Sequence, residues 1–120
     1  MARPALLIAE PEPGQALSTR KLVIETGKFN VLTAHSDHEA TEIVELTPSL
    51  AAMVILAELP GAAIAIKAAK SRRPELIVIL LSPNRTEKFE GVDHMVSSHD
   101  PEALLNLCRH LFGDPRQVKY

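Results

Sequence analysis

Leu76-Ile77-Val78-Ile79-Leu80-Leu81 is the stretch on which the fold turns. Six apolar residues stand in a row, with no polar residue between them. A strand with one wet face alternates apolar and polar positions, whereas a strand covered on both faces has no reason to. The run therefore predicts a strand of a parallel sheet that carries helices on both sides. Ala5-Leu6-Leu7-Ile8-Ala9 and Ala52-Met53-Val54-Ile55-Leu56-Ala57 read the same way. Asn30-Val31-Leu32-Thr33-Ala34 and the weaker His94-Met95-Val96-Ser97 complete a set of five runs.

The segments between the runs have helical spacing. Residues 14–26 place Leu17, Leu22 and Ile24 near one face, and Gly27 stands where a C-terminal cap belongs. Residues 38–46 follow a Ser36-Asp37 start signal and carry Ala40, Ile43, Val44 and Leu46 as a stripe. Residues 61–72 carry Ile64, Ile66, Ala68 and Ala69, with Pro74 as the stop. The last helix starts at Asp100-Pro101-Glu102 and ends at Gly113. Its apolar stripe runs through Leu104, Leu105, Leu107, Cys108, Leu111 and Phe112. Residues 83–92 are too few and too polar for more than about two helical turns at 3.6 residues per turn. The sum is an α/β domain over residues 1–113: a flavodoxin-like, doubly wound, five-stranded parallel sheet with a shortened fourth helix. Residues 114–120 read as a polar, proline-broken linker or tail that leads toward a further output domain.

Composition narrows the function. A chain of 120 residues with formal charge −2 suits one soluble domain with no strong field for nucleic acid or anionic membranes. Four aromatic residues and no Trp leave no stacking platform for single strands. Cys108 is the only cysteine, so no internal disulfide forms. Ala5–Ala9 is too short for a signal peptide or a membrane span, and a cytoplasmic location is expected.

In an open parallel sheet the functional crevice lies at the carboxyl ends of the strands. Those positions carry Glu10-Pro11-Glu12-Pro13, Glu58-Leu59-Pro60-Gly61, Ser82-Pro83-Asn84 and Ser97-Ser98-His99. Here the chain resembles the receiver domain of two-component response regulators. Leu7-Ile8-Ala9-Glu10-Pro11 is similar to that family's first strand and acidic pair. Leu59-Pro60-Gly61 resembles the loop after its phosphoacceptor strand, and Ile79-Leu80-Leu81-Ser82 its hydroxyl-bearing strand. Gly91-Val92-Asp93-His94-Met95-Val96 followed by Asp100-Pro101-Glu102 resembles its last strand and helix.

The resemblance implies a phosphorylation pocket, and this sequence departs from it residue by residue. The family's first acid falls on Glu10 and its second on Pro11, whose side chain offers no metal ligand. The acceptor aspartate falls on Leu56 when counted back from Pro60-Gly61, or on Val54 when counted forward from Pro48-Ser49-Leu50. No aspartate occurs between Asp37 and Asp93. The hydroxyl is kept as Ser82, and the lysine becomes Ser97 or Ser98. Glu58 stands beside the vacated site, either as a fixed negative charge or as an ordinary loop acid. Plainer readings exist for the rest: Ser82 as a turn cap, Glu10 and Glu12 as solvated acids, Arg72-Arg73 as a helix-terminal charge pair, Cys108 as a buried apolar residue.

The implied role is a receiver-like module of a bacterial two-component pathway, working without phosphorylation through protein partners and as a possible homodimer. No catalytic activity, cofactor, metal, nucleic acid or membrane is expected. The rivals are a genuine phosphoacceptor with an atypical acidic site and a small flavodoxin-like ligand-binding protein. The second would need a Ser/Thr/Gly phosphate cradle where Pro-Glu-Pro stands. A contact face is expected on the fifth strand and last helix, around Met95, Leu105 and Leu111, because a short fourth helix would leave apolar surface uncovered.

Overall fold

The structure is a computed structural model and describes residues 4–11, 19–83 and 89–114. The chain runs β1 (Ala5–Ala9), α1 (Thr19–Thr26), β2 (Asn30–Ala34), α2 (Asp37–Leu46), β3 (Leu50–Leu56), α3 (Ala62–Arg72), β4 (Ile77–Ser82), β5 (His94–Ser97) and α4 (Pro101–Phe112). The strands form one parallel sheet in the order β2-β1-β3-β4-β5. This is the doubly wound arrangement expected from the five apolar runs.

The consecutive apolar residues are explained by the two cores. Leu7, Met53, Ile55, Val78 and Leu80 point to one face and pack against Ala40 and Val44 of α2 and Ala65, Ile66 and Ala69 of α3. Leu6, Ile8, Val54, Leu56, Ile79 and Leu81 point to the other and pack with Ile24 of α1 and Leu104, Leu105 and Cys108 of α4. Neighbouring residues along one strand thus serve opposite cores, and neither face can be polar.

Local signals set the helix ends. Ser36 Oγ accepts from the Glu39 N–H at 3.1 Å, and Asp100 Oδ1 accepts from the Ala103 N–H at 3.0 Å, with Pro101 in the first turn. The expected start of the first helix, residues 14–18, lies outside the described residues, as do Glu12, Pro13, Asn84 and the tail from 115 onward. Gly27 does not end α1 by a left-handed turn; Lys28 takes that conformation, with φ 72°. Gly27 serves packing instead. A Cβ built there would come within 2.5 Å of Leu105 Cδ1, so the missing side chain is what lets α4 close on α1.

That approach overturns part of the expected contact face. Leu105 is only 5 % exposed and belongs to the core between α1 and α4. Met95 and Leu111 are both half-buried but pack against opposite faces of the sheet, so they share no patch. Among the described residues no helix stands between β4 and β5. Phe89 and Val92 pack there against the α2/α3 core and cover surface that the sequence reading left open. Two apolar stripe positions, Leu46 and Ile64, face solvent.

Arg73 does more than complement the end of α3. Its guanidinium donates to the carbonyls of Thr47 at 3.1 Å and Leu50 at 2.8 Å, tying the end of α3 to the entry of β3. Asp93 plays the matching part at the other edge. Its Oδ2 accepts from Lys70 Nζ at 2.7 Å and from the Val78 N–H at 2.8 Å, which fixes the return from β4 to β5.

Candidate functional site

Two buried polar side chains stand out among the described residues, Glu10 and Ser82, each 1 % exposed. Both lie at the carboxyl end of the sheet. Glu10 follows the last residue of β1, and Ser82 is the last residue of β4. Between those two strands runs β3, which ends at Leu56. The register Ala9 to Ile55 continues by one residue to set Glu10 level with Leu56, and Leu56 itself pairs with Leu81. Polar burial is therefore concentrated on the two sides of one apolar residue.

Leu56 is 4 % exposed and joins the α1/α4 core beside Val54 and Leu81. Val54 shares that face two residues earlier, wholly inside the sheet. Of the two positions that sequence counting allowed for the strand-end residue, the structure sets Leu56 at the mouth. Ser82 pairs with Ser97, and the Ser98 N–H donates to the Ser82 carbonyl at 3.0 Å. Ser97 is thus the register mate of Ser82, and Ser98 enters the site through its backbone. Ser97 Oγ accepts from the His99 N–H at 3.2 Å, which tightens the turn into α4.

The Glu10 side of the mouth is braced by the loop after β2. The Glu10 N–H donates to the Ala34 carbonyl at 3.0 Å, and His35 Nδ1 lies 3.1 Å from the Glu10 carbonyl. A carbonyl only accepts, so Nδ1 carries the hydrogen in this contact. The His35 N–H in turn donates to Glu39 Oε1 at 3.2 Å. Sequence reading missed His35, and nothing in its spacing marks it. Pro11 is half-buried and Glu58 is exposed on the loop after β3.

Electrostatics elsewhere are structural. Burial acts to raise the Asp93 carboxyl pKa, but the Lys70 hydrogen bond, the Val78 N–H and the charges of Lys70 and His94 together bring it below the ordinary value. Burial alone pushes the Cys108 thiol up to about 12, which makes it a poor nucleophile. No group of three or more His, Cys, Asp or Glu side chains that could hold a metal occurs among the described residues. Two open hollows, of about 360 and 480 Å³, lie away from the strand ends, beside Lys67 and Val92 and beside Pro48 and Arg72. No helix among the described residues is long and apolar enough to cross a membrane.

No family model matches the sequence, and no curated protein does. Solved structures do match. A CheY-like response regulator receiver domain from Methanospirillum hungatei superposes with a TM-score of 0.77 at 17 % identity, covering 92 % of this chain and 94 % of that one. The response regulator protein TrrA from Thermotoga maritima, solved in complex with Mg²⁺ and beryllofluoride, gives a TM-score of 0.71 at 18 % identity over 90 % and 98 % of the two chains. The class is therefore the receiver-domain fold. A sensor protein from Polaromonas gives a TM-score of 0.76 at 31 % identity, over 94 % of this chain and 98 % of that one. The chain belongs to the same family as that sensor protein.

Proposed function

We propose that this domain is a receiver-like signalling module that works through protein–protein contacts and takes no phosphoryl group. Leu56 carries the reading. Where the receiver resemblance calls for the acceptor carboxylate, a leucine is buried in the core. A buried aliphatic side chain offers neither a nucleophilic oxygen nor a metal ligand.

The cation chemistry of the fold family does not fit these residues. Mg²⁺ takes near-octahedral oxygen coordination and gives up its waters reluctantly. Pro11 and Leu56 supply no side-chain oxygen, and Glu58 faces solvent on its loop. Glu10 remains as one buried carboxyl, and one carboxyl makes a poor site. The family's lysine falls on Ser97 or Ser98, of which Ser97 stands level with Ser82, and a hydroxyl carries no charge to neutralise phosphoryl oxygens. The signalling role itself rests on kinship with a protein described as a sensor and on the shared fold. The expected setting is a bacterial cytoplasm, and the expected partner is another protein of the pathway.

Incubation with acetyl phosphate and Mg²⁺, or with beryllofluoride and Mg²⁺, tests the proposal. Intact mass and backbone amide NMR shifts at Glu10, Leu56 and Ser82 are expected to stay unchanged. A stoichiometric acyl phosphate, or saturable shifts at those residues with beryllofluoride, would overturn it.

A further inference from the structure

β2 is an edge strand, and its backbone shows which residues face the open side. The Asn30 N–H donates to the Pro4 carbonyl at 3.1 Å, and the Ala34 carbonyl accepts from Glu10 at 3.0 Å. In a parallel ladder the residues bonded to one neighbour recur at every second position. Asn30, Leu32 and Ala34 therefore turn their backbone groups to β1, and Val31 and Thr33 turn theirs outward. Among the described residues no strand pairs with that side. The usual guards of an edge are missing, since Asn30-Val31-Leu32-Thr33-Ala34 holds no charge and no proline. Leu32 is 38 % exposed, one of few large apolar side chains in that state.

We propose that β2 pairs antiparallel with β2 of a second copy of this chain, centred on Leu32, to give a two-fold dimer with one continuous ten-stranded sheet. The register follows from the outward groups. With Leu32 opposite Leu32, Val31 of each copy faces Thr33 of the other, and their N–H and C=O groups form four hydrogen bonds. Leu32 then occupies the non-hydrogen-bonded position, where facing Cα atoms approach to about 4.5 Å and side chains meet most closely. Centring the pair on Val31 would set Leu32 against Asn30, and centring it on Thr33 would set it against Ala34. Only the Leu32 register joins the exposed leucines.

Charge supports the same register. Lys28 of one copy falls opposite Ser36 of the other, near Glu39 in the first turn of α2. Lys28 and Glu39 are exposed and neither has an ion pair among the described residues, so each can meet the other copy; Asp37 is turned the other way, with its carboxyl against Gly61 at the start of α3. The two-fold axis makes this contact twice. The strand is short, so the interface falls at the small end of the range, below about 1,200 Å², and assembly depends on concentration. The pairing uses none of the strand-end residues and stands apart from the reading of the phosphorylation pocket.

Sedimentation velocity on the full chain between about 10 µM and 1 mM, on either side of a modest affinity, reads the assembly. A monomer at low concentration and a dimer at high concentration are expected. Thr33→Pro removes an outward N–H that β1 does not use, and should weaken the dimer at least about tenfold. Lys28→Glu should weaken it as well, and Lys28→Glu with Glu39→Lys should restore it. Leu32→Cys should cross-link to a covalent dimer in air, and Ile64→Cys, more exposed but distant, should not. A chain that stays monomeric at 1 mM overturns the proposal. So does a dimer insensitive to both Thr33→Pro and Lys28→Glu, or a Leu32→Cys variant that cross-links no faster than Ile64→Cys. If Thr33→Pro loses its fold by circular dichroism, Lys28→Glu, on an exposed residue, decides alone. None of these readouts involves a phosphodonor, so this failure and that of the proposed function are distinguishable.

Discussion

Leu56→Asp places a carboxylate at the end of β3, and the structure says what this costs. Leu56 is 4 % exposed and lies in the α1/α4 core. Losing its apolar burial costs about 2–3 kcal/mol. A carboxylate in its place, level with buried Glu10, adds several kcal/mol unless it takes up a proton. The sum is about 4–6 kcal/mol at pH 7.5, against a total stability of about 5–15 kcal/mol for a domain of this kind. With a urea slope of about 1.5 kcal/mol/M, the midpoint falls by about 3 M. The pH dependence has a definite sign. Burial raises the folded-state pKa of the new aspartate above its unfolded value of about 3.9, so the folded state binds the extra proton. The deficit relative to the native chain is therefore smallest below pH 4 and grows as pH rises through the raised pKa. Leu56→Asn, with nothing to titrate, should show a deficit that does not vary with pH. Urea unfolding of the three proteins from pH 4 to 8 measures this. Under the proposed function, acetyl phosphate with Mg²⁺ should leave Leu56→Asp unlabelled, because Pro11 offers no metal ligand and neither Ser97 nor Ser98 a cation. A Leu56→Asp protein as stable as the native chain would show that the mouth is hydrated and that the reasoning about its floor is wrong. Stoichiometric labelling would show that one residue alone separates this pocket from a working one.

Gly27→Val should cost about 1–3 kcal/mol by forcing α4 away from α1, and Gly27→Val with Leu105→Ala should recover part of it; additive losses in a thermal unfolding cycle would refute the contact. Asp93 holds its charge more readily in the folded state, so its stabilisation is present above its ordinary value of 3.8 and is lost as pH falls through the lowered pKa. Asp93 is 39 % exposed, which limits the ion-pair part to well under about 1 kcal/mol, and Asp93→Asn should reduce acid sensitivity below pH 4 in urea titrations. Cys108, buried with its thiol pushed up to about 12, should react with a thiol reagent only as fast as the domain opens, and acceleration by submolar urea follows.

The parts of the fold that were legible are those in which one residue type meets one demand. Consecutive apolar residues in 76–81 can only be explained by two covered faces, and the cores around Val78 and Ile79 lie on opposite sides of the sheet. Asp100-Pro101 reads as a helix start because both residues suit that one place. The glycines were less transparent. Gly27 looks like a cap in sequence, because caps and close packing both select a missing side chain. Only the position of Leu105 tells them apart. The same contact explains why Leu105 looked like contact surface. A helix stripe wide enough to serve the sheet and a neighbouring helix has the same spacing as one that leaves an edge exposed.

The site was legible as a set of positions and not as a surface. Glu10 and Ser82 could be placed at strand ends by counting, because a parallel sheet brings those ends into one row, whereas counting left Leu56 and Val54 both open for the strand between them. Their burial could not be counted. An acid after a strand is ordinarily solvated, yet Glu10 is 1 % exposed, and its backbone is held by the Ala34 carbonyl at the end of β2 and by the His35 ring just after it, more than twenty residues away. His35 carries no motif at all, and its part depends on the β1–β2 register. The open side of β2 is a further case. Its lack of charge reads as an ordinary half-buried strand until the order β2-β1-β3-β4-β5 places it at the rim, where a bare backbone edge selects a partner strand. If the two proposals hold, a sequence that keeps Glu10 and Ser82 buried around an apolar residue and leaves its longer edge unguarded recognises its partner at the rim of the sheet and not at its mouth.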